Sequence, residues 1–88
     1  MDVEWDDDNT KHIWRHRVRP HEAEEAIDDL RAVPVDATDL EEERDAVLGM
    51  TAHGRLLVVV FTVRSEWLRV VTARPPSGRE ERLCWTRL

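Results

Sequence analysis

A nearly continuous apolar run in the second half of the chain, RLLVVVFTV from Arg55 to Val63, most constrains what this sequence can fold into. β-Branched residues dominate the run, and they favour strands because their stiff side chains pack well on a pleated surface. A strand with one face in water alternates apolar and polar residues, and this run does not alternate. We therefore predict a central strand that is covered on both faces.

Turn and strand signals on either side of this run predict an antiparallel meander. Ala52-His53-Gly54 predicts a hairpin turn before the run, and Arg64-Ser65-Glu66 predicts another after it. The next strand is expected from Trp67 to Ala73, and Pro75-Pro76 ends it. Ser77-Gly78-Arg79-Glu80 then has the pattern of a capping box, which predicts a last helix that reaches about Trp85.

The first half of the chain contains a clear amphipathic helix that begins at Pro20. Proline is favoured at the first helical position, and the glutamates that follow suit the positive end of the helix dipole. Four apolar residues then recur at i, i+3, i+4 and i+7, the spacing of a core-facing stripe. They are Ala23, Ala26, Ile27 and Leu30.

The segment between this helix and the central strand has weaker secondary-structure signals. A strand from Ala32 to Asp36 is expected at a sheet edge, because Pro34 cannot donate to a ladder. The acidic stretch from Asp36 to Asp45 is interpreted as a loop. Its Thr38-x-x-Glu41 could instead be the capping box of a further helix, and the pattern leaves both alternatives open.

A short strand at Val3 to Trp5 is expected to lead into a helix from Asp7 to Arg17, with Asp6 as its N-cap. At 100° per residue, one sector roughly 140° wide collects the basic and titratable side chains of this helix. They are Lys11, His12, Arg15 and His16. Ile13 and Trp14 fall on the opposite side, so this helix has one basic face and one apolar face.

These elements alternate as strand, helix, helix, meander and helix, which is an α+β fold, and 88 residues leave room for one domain, residues 1–88. No apolar run approaches the roughly 18 residues of a membrane span, and the acidic N-terminus is unlike a signal peptide. Cys84 is the only cysteine, so neither an internal disulfide nor a cysteine-based zinc site is possible. A cytoplasmic location is therefore expected.

The net charge of −6 is unevenly distributed. Residues 1–45 contain 16 Asp/Glu against 6 Lys/Arg, a balance of −10, whereas residues 46–88 contain 3 acids and 7 arginines, a balance of +4. An anionic partner would therefore meet the C-terminal half. The acidic half could face a basic protein or water.

His12 and His16 lie four residues apart, a spacing at which two histidines can share a metal ion. The metalloprotease pattern also requires a glutamate beside the first histidine, and Ile13 stands there. We therefore expect no metal and no cofactor. Because an unperturbed imidazole titrates near pH 6.5, the pair could instead be a polar helix face or serve in acid–base catalysis.

Arginines at strand ends are the second group with chemical potential. Arg64 follows the central strand, Arg74 closes the next one, and Arg79 and Arg82 on the last helix could extend a cationic patch. Such arginines are usually solvated. A guanidinium nonetheless binds phosphate through two hydrogen bonds and keeps its proton, which suits a phosphate transition state.

Four tryptophans in a chain with one phenylalanine and no tyrosine form the third group. Trp5 and Trp14 are interpreted as core anchors, since a small domain needs large residues to fill its core. Trp67 and Trp85 lie beside arginines and could stack on nucleic-acid bases.

Two stretches of the chain together carry a recognisable pattern of residues. In the first half the pattern comprises Glu4-Trp5-Asp6 and His12-Ile13, then Arg15-His16-Arg17-Val18 and the helix from Pro20 to Ile27. In the second half it comprises GRLLVVVFTVR, RVVTAR and Glu80. The first stretch resembles the opening of the BrnT family of toxins, and the second resembles that family's G-R-x-L-x-V-V-Y/F-T-x-R, R-I-I-S-A-R and E-R segments. Three positions depart from the pattern, with Arg17 for glycine, Glu81 for a basic residue and Cys84 for tyrosine.

The resemblance implies a RelE-like α+β fold, in which an antiparallel meander packs against two N-terminal helices and is followed by a C-terminal helix. It implies that the segment from Arg44 to Met50 is a strand. It also implies a type II toxin, a metal-independent endoribonuclease that arrests translation and is neutralised by a ribbon-helix-helix-like antitoxin. No membrane partner is implied, and a dimer and a hetero-tetramer with the antitoxin stay open.

The family positions that matter correspond to His16, Arg64 and Arg74, with Glu80 matched by type. Together with the reasoning from the residues, this predicts a catalytic set and an RNA-binding set. The catalytic set is His12, His16, Arg64 and Arg74, and the RNA-binding set is Lys11, Arg15, Arg79, Arg82 and Trp85. The alternative is a non-catalytic module that keeps only the surface for a protein partner.

Overall fold

A computed structural model describes residues 2–35 and 44–86 of the chain, with side chains as far as residue 82. Its elements follow the predicted order. They are β1 (Asp2–Glu4), α1 (Asp7–Trp14), α2 (Pro20–Asp28), β2 (Val33–Pro34), β3 (Asp45–Met50), β4 (Leu56–Arg64), β5 (Trp67–Arg74) and α3 (Gly78–Thr86). The predicted α+β class is confirmed. The alternatives for Thr38 and Glu41 lie outside the described residues.

The five strands form one mixed sheet in the order β1-β5-β4-β3-β2. Strands β2 to β5 pair antiparallel in sequence order, so the predicted meander is confirmed, and Pro34 lies on an edge strand as expected. The short strand predicted at Val3 to Trp5 is present as β1, but the sequence did not predict its pairing, which is parallel with the outer side of β5, with Val3 opposite Leu68. The arrangement is consistent with a RelE-like toxin fold.

β4 is buried on both faces, as its composition predicts. Leu57 and Val59 belong to a core cluster that includes side chains from α1 and α2. Val58 and Val60, which point the other way, belong to a second cluster with residues around β2 and β3. All four side chains are at most 5% exposed. The strand therefore divides two apolar layers, and this explains why its sequence does not alternate.

α2 lies against β3 and β4, with Ala23 and Ala26 fully buried. The helix ends at Asp28, two residues before Leu30, which is fully exposed. The prediction that Leu30 belongs to the core stripe is therefore wrong. Local hydrogen bonds compete with the helix here, because the Asp29 carboxylate accepts from the backbone N–H groups of Arg31 and Met50, at 3.0 and 2.9 Å.

α1 begins as predicted at the N-cap Asp6, in a reciprocal capping box with Asn9. It ends at Trp14 rather than at Arg17, which has a φ of 57° and reverses the chain. Trp14 is 45% exposed, so its interpretation as a core anchor is wrong. Trp5, in contrast, packs against the core, and its indole N–H donates to the Glu24 carboxylate at 3.1 Å.

Candidate functional site: a cationic cleft at one end of the sheet

The connection from β4 to β5 determines which side chains meet at one end of the sheet. The two-residue turn Ser65-Glu66 pairs Arg64 with Trp67, and the same register places Thr62 beside Arg69. An open cleft of about 330 Å³ begins here. Its lining comes from α1, from the residue before β3, from β4 and from β5. The lining residues are Asp8, Asn9, His12, Arg44, Thr62, Arg64, Arg69, Val70 and Val71.

Asn9 fixes α1 against the sheet beside this cleft. β1 is short and ends opposite Arg69, so the carbonyl of Val70 has no strand partner on that side. The Asn9 amide donates to this carbonyl at 3.1 Å and to the carbonyl of Glu4 at 2.9 Å. The side chain is 4% exposed and fully satisfied. Because His12 follows three residues later, nearly one helical turn, its imidazole is brought to the cleft.

Arg69 is already neutralised by carboxylates. Its guanidinium donates to Asp6 at 2.7 Å and to Glu4 at 3.0 Å. The hydrogen bond from Arg69 lowers the pKa of the Asp6 carboxyl, and the same bond raises the pKa of Arg69 further above its usual value. Since Asp6 also caps α1, the ion pair joins the start of this helix to β5. Arg69 thus combines a place in the cleft with a structural contact.

Arg64 is the most accessible cation of the cleft. It is the last residue of β4, its side chain is exposed, and it makes no ion pair with another described residue. Arg44, half-buried before β3, adds a second guanidinium to the lining. Among the described residues that line the cleft, Asp8 is the one acid, beside three arginines of which Arg69 is already paired. The exposed guanidinium of Arg64 favours an anionic ligand in this cleft, and the imidazole of His12 lines the same cleft.

His16 lies away from this cleft. It follows α1 in the turn, where its backbone carbonyl accepts from the Arg55 guanidinium at 3.0 Å. Arg55 also donates to the carbonyl of Arg17 and to Glu22, so it holds the chain between α1 and α2. Arg55 precedes β4 and Arg64 is its last residue, so nine residue steps along the strand place them roughly 30 Å apart. The structure therefore brings His12, but not His16, to Arg64.

Arg74 also lies away from the cleft. It pairs with Val58 across the ladder, six positions from Arg64 along β4, which corresponds to roughly 20 Å. Its guanidinium forms two parallel hydrogen bonds to Glu80, at 2.7 and 2.9 Å. Glu80 in turn forms the predicted capping box with Ser77 at the start of α3. This places Arg74 and Glu80 in a contact that joins α3 to the sheet.

Glu80→Gln is expected to lower the free energy of unfolding at pH 7 by about 1–2 kcal/mol, because the amide keeps the cap but loses the charge that Arg74 binds. The hydrogen bond from Arg74 lowers the pKa of Glu80 from its usual 4.5 to about 2. A depressed pKa stabilises the folded state above pH 4.5, and this contribution is lost as the pH falls towards 2. Urea denaturation should show that Glu80→Gln and wild type differ less in free energy of unfolding at pH 3 than at pH 7.

The neighbouring Glu81→Gln is the matched control, because Glu81 is exposed on the same helix turn. It should leave stability within about 0.5 kcal/mol of wild type at both pH values. If Glu80→Gln and Glu81→Gln have the same effect, the contact between Arg74 and Glu80 does not stabilise the fold.

The residues predicted to bind RNA are dispersed over exposed surfaces. Lys11 lies on α1, Arg15 is the C-cap residue of that helix, and Arg79 and Arg82 lie on α3. The side chain of Trp85 lies outside the described part of the chain. Trp67 is 49% exposed at the start of β5, opposite Arg64.

Sequence reasoning missed five of the polar residues that line the cleft, namely Asp8, Asn9, Arg44, Thr62 and Arg69. A signal for two of them was present. A two-residue turn at Ser65-Glu66 sets the register of the hairpin, so Thr62 and Arg69 could have been paired by counting outward from it. No comparable signal existed for the residues of α1, since their position depends on the unpredicted parallel pairing of β1.

The mixed sheet, the two helices on one of its faces and the cationic cleft are together consistent with the class of RelE-like toxins, and the charge of the cleft suits a phosphodiester. Residues 5–80 match the family described as ribonuclease toxin, BrnT, of type II toxin–antitoxin systems. The chain therefore belongs to the BrnT family of ribonuclease toxins, as the resemblance predicted. Comparison with curated proteins finds no match.

Membership of this family implies an antitoxin protein as partner and RNA as target. Among the residues that the structure describes, no three His, Cys, Asp or Glu side chains are grouped as ligands for a metal ion. Within the same residues, the helices are too short or too polar to cross a membrane.

Proposed function

We propose that this chain is an endoribonuclease that cleaves single-stranded RNA in the cationic cleft without a metal ion, and so arrests translation. The observation that supports the proposal is the meeting of His12 with the accessible guanidinium of Arg64 across one cleft. The two groups supply a proton acceptor and a fixed positive charge. Internal phosphoester transfer from the ribose 2′-hydroxyl needs both.

In the proposed reaction the imidazole of His12 takes the proton of the 2′-hydroxyl, and the 2′-oxygen attacks the adjacent phosphorus. The bond to the 5′-oxygen of the next nucleotide then breaks. Arg64 stabilises the extra negative charge on the pentavalent phosphate, since a guanidinium binds two phosphate oxygens at once and stays charged. The departing 5′-oxygen takes a proton from water, which has access to the open cleft. The products are a 2′,3′-cyclic phosphate and a 5′-hydroxyl end.

The other members of the predicted catalytic set take different roles in this proposal. His16 and Arg74 contact structural partners away from the cleft, so we assign them to the fold. Thr62 and Arg69 replace them, because the hydroxyl and the guanidinium lie side by side in the lining and can donate to phosphate oxygens. Lys11, Arg15, Arg79, Arg82 and Trp85 stay a prediction for the RNA path outside the cleft.

The proposed partner is a cognate antitoxin that neutralises the toxin by binding it. A ribbon-helix-helix-like antitoxin, a cytoplasmic location, and a dimer or a hetero-tetramer with the antitoxin stay predictions from the family. The charge distribution supports a basic contact surface on the partner, since residues 1–45 carry a balance of −10.

A second function, a non-catalytic module that binds only the protein partner, is favoured by two observations. His12 is the only imidazole that lines the cleft, and Arg69 is already paired with two carboxylates. A site with one imidazole and a partly neutralised charge is weaker than one with separate acid and base groups.

Cleavage of a labelled single-stranded RNA by the purified chain in excess EDTA tests the two functions against each other. We expect cleavage that EDTA does not reduce and fragments that end in a 2′,3′-cyclic phosphate. Induction of the chain in cells should stop growth, and co-expression of the neighbouring antitoxin gene should restore it. Intact RNA together with unaffected growth would contradict the enzyme and favour the binding module.

A further inference from the structure

An exposed tryptophan with two arginines over its ring lies at the C-terminal end of α1. This end of the helix is the one farther from the cleft. The guanidinium carbon of Arg17 is 5.0 Å from the centroid of the Trp14 ring, and that of Arg19 is 5.9 Å from it. We call these three residues the Trp14 patch. Neither guanidinium makes an ion pair with another described residue, so the ring is the side-chain contact that holds them.

The backbone around the Trp14 patch explains why the two arginines converge. Arg17 has a φ of 57°, and its N–H donates to the carbonyl of Trp14 at 2.9 Å, so the chain turns back over the tryptophan. Arg19 is the extended N-cap residue of α2. The two residues thus approach one ring from the end of one helix and the start of the next.

The local charge is opposite to that of the whole chain. Residues 11–21 contain one lysine, three arginines, three histidines and no acid, although the chain has a net charge of −6. A helix C-terminus favours a cation or two, which accounts for part of this excess. The dipole does not account for a tryptophan that is 45% exposed. Exposed aromatic surface combined with fixed positive charge is the combination with which proteins bind single-stranded nucleic acid.

We propose that the Trp14 patch is a second RNA-binding subsite, which holds the phosphodiester backbone of the single-stranded substrate outside the cleft. A guanidinium held near a ring by a cation–π contact keeps its charge and its N–H donors for a phosphate, and the contact restricts where the guanidinium can lie. The ring also offers apolar surface for a base. The inference rests on the proposed function, since RNA is the ligand in both.

The position of the Trp14 patch fits a path that continues from the cleft. His12 and Trp14 are two residues apart on α1, so they lie on opposite flanks of the helix, separated by about 10–12 Å. Lys11 and Arg15 lie on the exposed surface of the helix between these flanks. A strand several nucleotides long can therefore have one phosphate in the cleft and another at the Trp14 patch.

Binding to RNA that cannot be cleaved tests this subsite separately from catalysis. The probes are fluorescein-labelled 2′-O-methyl oligouridylates of 3 and 10 nucleotides, and the measurement is fluorescence anisotropy of the full chain at several salt concentrations. Arg17→Ala should weaken the 10-mer about threefold and reduce the slope of log K against log salt by about 0.7, the value for one phosphate contact. The ratio of the affinity for the 10-mer to the affinity for the 3-mer should also fall in this variant.

Two further variants distinguish a specific effect of the Trp14 patch on RNA affinity from a general effect of positive charge. Trp14→Ala changes no charge, and it should weaken the 10-mer at least about fivefold, because the stacking surface and the support of both arginines are lost. Arg31→Ala removes one charge from an exposed arginine in the turn after α2 and should change neither affinity. Thermal melts should show that all three variants are folded.

Equal effects of Arg17→Ala and Arg31→Ala would overturn the inference, as would an unchanged 10-mer affinity in Trp14→Ala. Retained RNA affinity with loss of antitoxin binding would also overturn it, since the Trp14 patch would then serve the protein partner. A wild-type chain that binds the 10-mer through Trp14 but cleaves no RNA supports the subsite and contradicts the proposed enzyme. If the wild-type chain cleaves RNA and the variants of the Trp14 patch bind RNA as well as wild type, the result supports the proposed enzyme and contradicts the subsite.

Discussion

Gly49→Ala is expected to destabilise the fold by about 3 kcal/mol or more, because a methyl group at this position has no space. Gly49 lies in β3 directly beneath α2. A Cβ atom there would overlap the carbonyl oxygen of Ala26 and lie 2.7 Å from its carbonyl carbon. Both are backbone atoms, so no rotation of a side chain relieves the overlap, and the helix has to move off the sheet.

For a chain of this size, a loss of about 3 kcal/mol corresponds to a melting temperature lower by about 12–24 °C. Thermal unfolding followed by circular dichroism measures it. Gly78→Ala is the control, since Gly78 begins α3 with no atom within 4 Å of an added Cβ, and it should stay within about 0.5 kcal/mol of wild type. A Gly49→Ala chain that melts within a few degrees of wild type would mean that α2 does not contact β3 at this glycine.

The fold follows from the sequence wherever one strong pattern dominates. The run from Arg55 to Val63 predicts β4 to within one residue, because a strand with two buried faces tolerates almost no polar residue. Element ends are less predictable. The apolar spacing of α2 continues to Leu30, whereas the helix stops at Asp28, where the Asp29 carboxylate binds nearby backbone N–H groups. The spacing of apolar residues indicates which face of a helix is buried, whereas local side-chain hydrogen bonds determine where the helix ends.

Trp14 shows a second limit of the sequence. Its size made burial a reasonable expectation, but α1 uses Asn9 and Ile13 for its contact with the sheet. The tryptophan then lies on a flank, where Arg17 and Arg19 cover part of its ring. A count of large residues does not reveal which of them the core has room for.

The kinds of side chain that form the site could be predicted from the sequence, but only some of the individual residues could. An imidazole from the first helix and a guanidinium from a strand end do line one cleft, as His12 and Arg64. The sequence could not distinguish His12 from His16, since both fall in the same sector of an ideal helix. The difference comes from the end of α1 at Trp14 and from Arg55, which binds the carbonyl of His16 at the other end of β4.

This difference leads to the largest expected effect on activity. His12→Ala should lower the rate of RNA cleavage by about 10²–10⁴-fold, the usual contribution of a general base, because no other imidazole lines the cleft to accept the 2′-hydroxyl proton. The imidazole is exposed, so its removal should leave the melting temperature nearly unchanged. Initial rates on a labelled single-stranded RNA in EDTA measure the loss.

Two other histidines make the experiment specific. His53→Ala, in the exposed turn between β3 and β4, should cleave at the wild-type rate, since this turn lies at the end of β4 opposite Arg64. His16→Ala discriminates between the two imidazoles of the first helical segment, and we expect a change of about twofold at most, because its contact with Arg55 is made by the backbone carbonyl. If His16→Ala removes activity and His12→Ala does not, the reaction takes place outside the cleft between α1 and β4.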